Sequence, residues 1–147
     1  AGKSGDKRKE ADAWHAIASV YQIQEEDGAT AADVLSAAEK ALTMYQELGY
    51  RKGEATAQNT VARAQLRQDK ASLGLQTASE SLATFRSLND SRGMVSALET
   101  IVQAHSLADN PMAGISAANK ELATLRSAGN SRGQADVLDM IAQTHAM

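Results

Sequence analysis

The sequence predicts an all-α protein: an α/α superhelix of about three and a half helix-turn-helix repeats, with seven helices in a single domain over 1–147. Three observations predict it. The first is a repeat. "LATFRSLNDSRG" at 82–93 matches "LATLRSAGNSRG" at 122–133 in eight of twelve positions, and "LTMYQELGYRKG" at 42–53 is a weaker copy in phase, so the period is 40. The second is spacing. Within each period two stretches carry apolar residues on one helical face, as in Trp14, Ile17, Ala18 and Tyr21, or Leu98, Ile101, Val102 and His105. The third is composition. Hydrophobic residues make up 43% of the chain but aromatics only 3%. Much of the apolar content is Ala, the best helix former, which suits a core built by close approach of helices. Units that can bury their faces only against neighbours form a solenoid.

The repeats are placed at 7–49, 50–89 and 90–129, with a partial copy at 130–147. Helices are expected near 8–25, 30–48, 51–67, 71–88, 91–107, 111–128 and 131–146. Thr30, followed by Asp33, resembles a capping box, with Asp in place of the usual Glu. Leu48-Gly49 and Ala128-Gly129 end helices on a glycine, which takes the left-handed conformation cheaply. Asn110-Pro111 sets a capping side chain before a proline at the first helical position. Gly53, Gly93 and Gly133 open the following helices, where a missing side chain lets the preceding helix come close.

The first copy is offset by 44, its four extra residues falling in "QEEDGATAA". This alignment makes Asp6 through Lys9 an inter-repeat turn and Gly2-Lys3-Ser4 the frayed tail of a preceding element. Gly2-Lys3-Ser4 also matches the end of a phosphate-binding loop. That loop needs a strand before it and a glycine further upstream, and the sequence shows neither.

Several function classes are excluded or left without support. A net charge of −3 does not suit a nucleic-acid surface. No apolar run is long enough to span a membrane, and no signal-peptide pattern is present. With no Cys there is no disulfide, thiolate metal site or cysteine nucleophile. His105 and His145 fall at equivalent places one repeat apart. The simplest reading is packing, since a metal would need a further ligand. Asp136 and Asp139 share a helix face, and Glu25-Glu26-Asp27 reads as a solvated turn, as does Lys7-Arg8-Lys9. None is an enclosed acid/base pair, and neither G-x-S-x-G nor H-E-x-x-H occurs. The expectation is no enzyme, with no catalytic, cofactor or metal site. Compartment is open: a soluble cytoplasmic chain is the default, with an organellar or lumenal place possible if Ala1 marks a processed start.

The repeat residues resemble the tetratricopeptide repeat in its longer, roughly 40-residue form. Its first-helix signature corresponds here to Trp14, Ile17, Ala18 and Tyr21, then Gln58, Val61, Ala62 and Gln65. The third copy has Leu98, Ile101, Val102 and His105, and the partial one Leu138, Ile141, Ala142 and His145. The small second-helix positions correspond to Val34, Gly74 and Gly114, then Ala41, Ser81 and Glu121. Glu121 departs from the pattern, and the proline at the repeat end is missing. The resemblance implies a concave groove lined by first helices, including His15, Ser19, Asn59, Arg63, Glu99, Gln103 and Asp139. Arg63, the one cation at these positions, is the expected anchor for a partner carboxylate. His15, Ser19, Thr60, Ser96 and Thr100 stand where some members carry a Lys/Asn carboxylate clamp, so that clamp is absent and a chaperone-tail receptor is not expected.

Such repeats are platforms for many partners. The expected function is a non-enzymatic protein–protein interaction scaffold, with a protein partner still to be identified. The alternative is a small structural subunit docked end-on or by its convex face in a larger assembly. Helix 131–146 lacks a second-helix mate, so Leu138, Ile141 and Met147 are expected to form an end-on contact. A partner or a second copy would cover it, or the native chain would continue with another helix.

Overall fold

The computed structural model describes residues 2–23 and 30–146. Among them the chain forms seven helices and no strand. These are α1 (Gly2–Ile23), α2 (Ala31–Leu48), α3 (Arg51–Arg67), α4 (Ala71–Ser87), α5 (Ser91–Leu107), α6 (Pro111–Ser127) and α7 (Ser131–His145). The all-α, repeat-like architecture expected from the sequence is the one observed. Glu25-Glu26-Asp27, most of the four-residue insertion, and Met147 lie outside the described residues.

From α2 onward every turn is closed in the same way. A left-handed residue falls at Gly49 (φ 66°), Asp69 (60°), Asn89 (54°), Asp109 (59°) and Gly129 (68°), evenly spaced at half the sequence period. The next N–H then reaches back to the carbonyl five residues earlier. Tyr50 donates to Tyr45 at 3.0 Å, Lys70 to Gln65 at 3.0 Å and Asp90 to Phe85 at 3.0 Å. Asn110 donates to His105 at 2.8 Å and Asn130 to Leu125 at 3.0 Å. This closure satisfies carbonyls the helix end would leave bare. Gly does it at two turns. At the other three, Asp or Asn does, because a short polar side chain tolerates the left-handed region.

Helix starts are more varied. Thr30 and Asp33 form the expected capping box: Asp33 N–H donates to Thr30 Oγ1 at 3.2 Å, and Thr30 N–H to Asp33 Oδ2 at 2.8 Å. The two Thr30 donors, backbone N–H first and hydroxyl second, hold the Asp33 carboxyl below the usual carboxylate range. Asp90 and Asn130 accept from the N–H groups of Gly93 and Gly133 at 3.0 and 2.7 Å. Asn110 does not cap with its side chain as expected. The Ala113 N–H bonds to the backbone carbonyl of Asn110 instead, at 3.2 Å, while Pro111 takes the first helical position.

The N-terminus also departs from expectation. Residues 2–10 are helical, so Asp6 through Lys9 form no turn, and Gly2-Lys3-Ser4 begins α1. Side chains hold this stretch against the next elements. Lys7 Nζ pairs with Glu47 at 2.8 Å, and the Arg8 guanidinium lies 3.9 Å from the centre of the Tyr50 ring.

Consecutive helices pack against each other. In addition α1 touches α3, α3 touches α5, and α5 touches α7, so the odd helices form one row. The core is accordingly a chain of clusters, each drawn from consecutive helices. Val34, Ala37 and Ala38 of α2 pack between Ala18 and Val61. Leu82 and Phe85 of α4 pack with Ala62, Met94 and Ile101. Leu122 and Leu125 of α6 pack with Leu98, Val102 and Val137. The buried alanines keep the helices close. So do Gly53, Gly93 and Gly133, whose missing side chains make room for Tyr45, Phe85 and Leu125 respectively.

Two expectations about packing are corrected. The α2-facing side of α3 is covered, but the equivalent side of α1 is not, so Ile17 and Val20 are exposed, as is Tyr21. His145, expected to pack inward, is exposed, whereas His105 is half-buried.

Candidate functional site

The row of odd helices presents the face on which most of the expected groove residues lie. Three seams run along it, and their side chains differ. At the first, His15 Nε2 lies 3.0 Å from Thr60 Oγ1. Burial pushes the His15 imidazole below its ordinary value, with Asp12 acting weakly in the other direction. Ser19 Oγ donates to the carbonyl of His15 at 3.0 Å, within its own helix. Both residues are half-buried; His15 is tied to α3, and Ser19 to its own helix.

The second seam, between α3 and α5, is stitched shut. Asn59 Nδ2 donates to Ser96 Oγ at 3.1 Å. Arg63 donates from Nε to Thr100 Oγ1 and from Nη2 to Ser96 Oγ, both at 3.2 Å, and Nη2 lies 3.8 Å from Glu99 Oε2. Asn59, expected in the groove, is therefore buried. Arg63 is held by three residues of the next helix before any partner arrives.

The third seam, between α5 and α7, is open. One period on, Glu99 and Gln103 occupy the places of Asn59 and Arg63, while Asp136 and Met140 occupy those of Ser96 and Thr100. A carboxylate now faces a carboxylate, and an amide faces a thioether. Neither pair reproduces the Asn59–Ser96 and Arg63–Thr100 hydrogen bonds of the second seam. A groove of about 430 Å³ opens here, with Val102, Leu107 and Met140 among its apolar lining. Glu99, Asp136 and Asp139 line it with negative charge, beside Gln103, Gln143, Ser106 and Thr144. Gln143 Nε2 donates to Asp139 Oδ2 at 2.9 Å, which steadies that carboxylate.

Of the expected groove set, the structure thus brings Glu99, Gln103 and Asp139 together, puts Asn59 and Arg63 into the closed seam, and leaves His15 and Ser19 half-buried at the first. Asp136 and Gln143, which the repeat phase also places at groove positions, and Met140 complete the open site. Met140 lies off the first-helix positions that the repeat phase assigns to the groove, next to Asp139. The signal was the loss of Ser/Thr at the fourth-copy positions, visible once Ser96 and Thr100 are known to be bonding partners.

Among the described residues no group of three His, Asp or Glu converges as a metal-binding set, and no helix is long and apolar enough to cross a membrane. Among the described residues one carboxylate is buried away from the groove. Glu121 occupies the place of Ala41 and Ser81, pairs with Arg86 of α4, and is 3% exposed. In the earlier copy Ser81 Oγ donates to the Ala55 carbonyl at 2.7 Å. Of the expected end-on residues, Leu138 is exposed, and Ile141 is half-buried against the α5–α6–α7 cluster.

No family model matches the chain, and no curated protein matches it.

Proposed function

We propose that the chain is a non-enzymatic protein-interaction scaffold of tetratricopeptide-like repeats, and that the groove between α5 and α7 is where a partner segment lies. The observation that carries this reading is the open third seam. It combines an apolar floor with three carboxylates, of which Glu99 has Arg63 at 3.8 Å and Asp136 borders a neighbouring cavity with Arg92 and Arg132, while Asp139 has the Gln143 amide. A segment with a Lys or Arg beside an apolar side chain complements it. The apolar group would lie on Val102 and Met140, and the cation would meet Asp136 or Asp139. Arg63, held by Ser96, Thr100 and Glu99, orders the closed seam and is a weaker candidate for an anchor.

Selection of displayed random peptides on the whole chain tests the reading. Enriched peptides should carry a cation next to an apolar residue. Their binding should drop roughly tenfold on Asp136→Lys, as expected for a charge pair at a groove. Selection of acidic peptides, or binding unchanged by that substitution, would count against the groove. The end-on alternative draws its support from the exposed Leu138, and it leads to a second, separate surface.

A further inference from the structure

Lys52, Arg92 and Arg132 stand at the same place, one period apart, at the starts of α3, α5 and α7. What the first two meet across the next seam differs. Lys52 Nζ lies 3.8 Å from Asp90 Oδ2, between α3 and α5. One period on, Asn130 replaces Asp90. Both side chains cap their own helix, Asp90 by accepting from the Gly93 N–H and Asn130 from the Gly133 N–H. Only the aspartate also has a charge for the cation of the preceding odd helix. Arg92 therefore meets an amide where Lys52 meets a carboxylate.

The seam opens at this point. A cavity of about 300 Å³ lies between the first turns of α5 and α7, lined by Ser91, Arg92, Val95, Asn130, Arg132 and Asp136. Both arginines are exposed, and among the described residues neither forms an ion pair. Two arginines against one aspartate leave the lining with a single positive charge in excess. One carboxylate balances it, whereas a doubly charged phosphate would overshoot and repel Asp136. Asp136 also lines the groove, so the cavity and the groove are two parts of one seam. This seam lies within the array rather than at its end. With α4 and α6 both in place, the α3–α5 seam still exposes Lys52 and Glu99. A helix following α7 would leave the α5–α7 seam open in the same way.

We infer that this cavity takes an acidic side chain, Asp or Glu, of the same partner segment that lies in the groove. The inference rests on the groove reading and adds to the partner a second charge, of opposite sign. Arginine suits the role, since its guanidinium can grip a carboxylate through two parallel hydrogen bonds. Spacing follows from the helix. Arg132 and Asp139 are seven residues apart on α7, a rise of about 10 Å. An extended segment covers that distance in about three residues. The partner's acid is therefore expected about three residues from its cation.

The test uses the whole chain and the displayed random peptides that test the groove. Enriched sequences are resynthesised with an amidated C-terminus, so that side chains are their only carboxylates, and titrated by fluorescence anisotropy. The expected peptides carry Asp or Glu about three residues from the Lys or Arg. Replacing that acid by its amide should weaken binding roughly tenfold, and so should Arg92→Glu or Arg132→Glu in the chain. A peptide with Lys in place of the acid should bind the Arg132→Glu chain better than the wild type, a rescue that a misfolded variant would not give. Enriched peptides that depend on Asp136 but lack the acid, or that ignore both arginine substitutions, overturn the inference and leave the groove reading standing. Selection that returns no cation beside an apolar residue overturns both. Tighter binding when phosphoserine replaces the acid overturns the assignment to a carboxylate and makes the cavity a phosphate site.

Discussion

The ring of Phe85 occupies the space that a side chain on Gly93 would need: a β-carbon there would overlap the ring edge. The two residues belong to consecutive helices, and Phe85 is buried at 3% exposure. The same relationship holds between Tyr45 and Gly53 and, more loosely, between Leu125 and Gly133. Gly93→Ala should therefore overpack this junction and cost about 1–3 kcal/mol. Gly133→Ala should cost less, because its nearest neighbour is the end of a flexible leucine, at 3.0 Å. Chemical denaturation of the two variants side by side checks the order.

Ile101 packs against Leu82 and Phe85 and is 4% exposed. Ile101→Ala should cost about 2–5 kcal/mol through the cavity it leaves. A loss under about 0.5 kcal/mol, the size of an ordinary surface effect, would show that this face is not core.

Arg86 and Glu121 should respond unequally. Arg86→Ala leaves a buried carboxylate without its cation, which costs about 3–5 kcal/mol for a fully buried pair and less here because Arg86 is half exposed. Glu121→Ser restores the residue type of the previous copy, where Ser81 bonds the Ala55 carbonyl at 2.7 Å. It should be neutral or stabilising. Thermal melts of both variants and of the double variant test this. Equal losses for the two single variants would mean the pair itself is a net source of stability.

Much of the architecture was legible. Period, helix number, the capping box and the close-approach glycines all follow from residues whose local chemistry has one good solution. What escaped was decided by neighbours. Asp69, Asn89 and Asp109 turn left-handed as Gly49 and Gly129 do, but polar residues in a turn announce no particular conformation. Asn110 loses its capping role to its own carbonyl. Residues 6–9 align with a turn yet stay helical, held by Glu47 and Tyr50 on other elements. For the site, the groove positions of Glu99, Gln103 and Asp139 were legible from the repeat phase. That the α3–α5 seam would be closed by Asn59 and Arg63 was not, because it depends on which side chains face each other across helices.

His15 gives a pH dependence. Its ordinary value is 6.5, and burial lowers it in the folded protein. Below that value the unfolded chain takes up a proton that the folded chain resists. Stability therefore falls as the pH drops from about 7, and this contribution levels off once the pH is below the folded value. Melting temperatures between pH 7.5 and about pH 5 should decline less steeply for His15→Gln than for the wild type. Parallel curves would show that His15 is not the group responsible.

The central claim is that a partner lies along the row of odd helices where the α5–α7 seam opens. A photoreactive residue placed at Gln103, in the groove, and in a second protein at Lys120, exposed on α6, tests it most directly. Each chain would be irradiated with a cell extract and its cross-linked peptides sequenced. The account predicts a recurrent segment carrying Lys or Arg beside an apolar residue, captured from Gln103 and lost when Asp136→Lys is added. Capture of the same segment from Lys120 alone would contradict it.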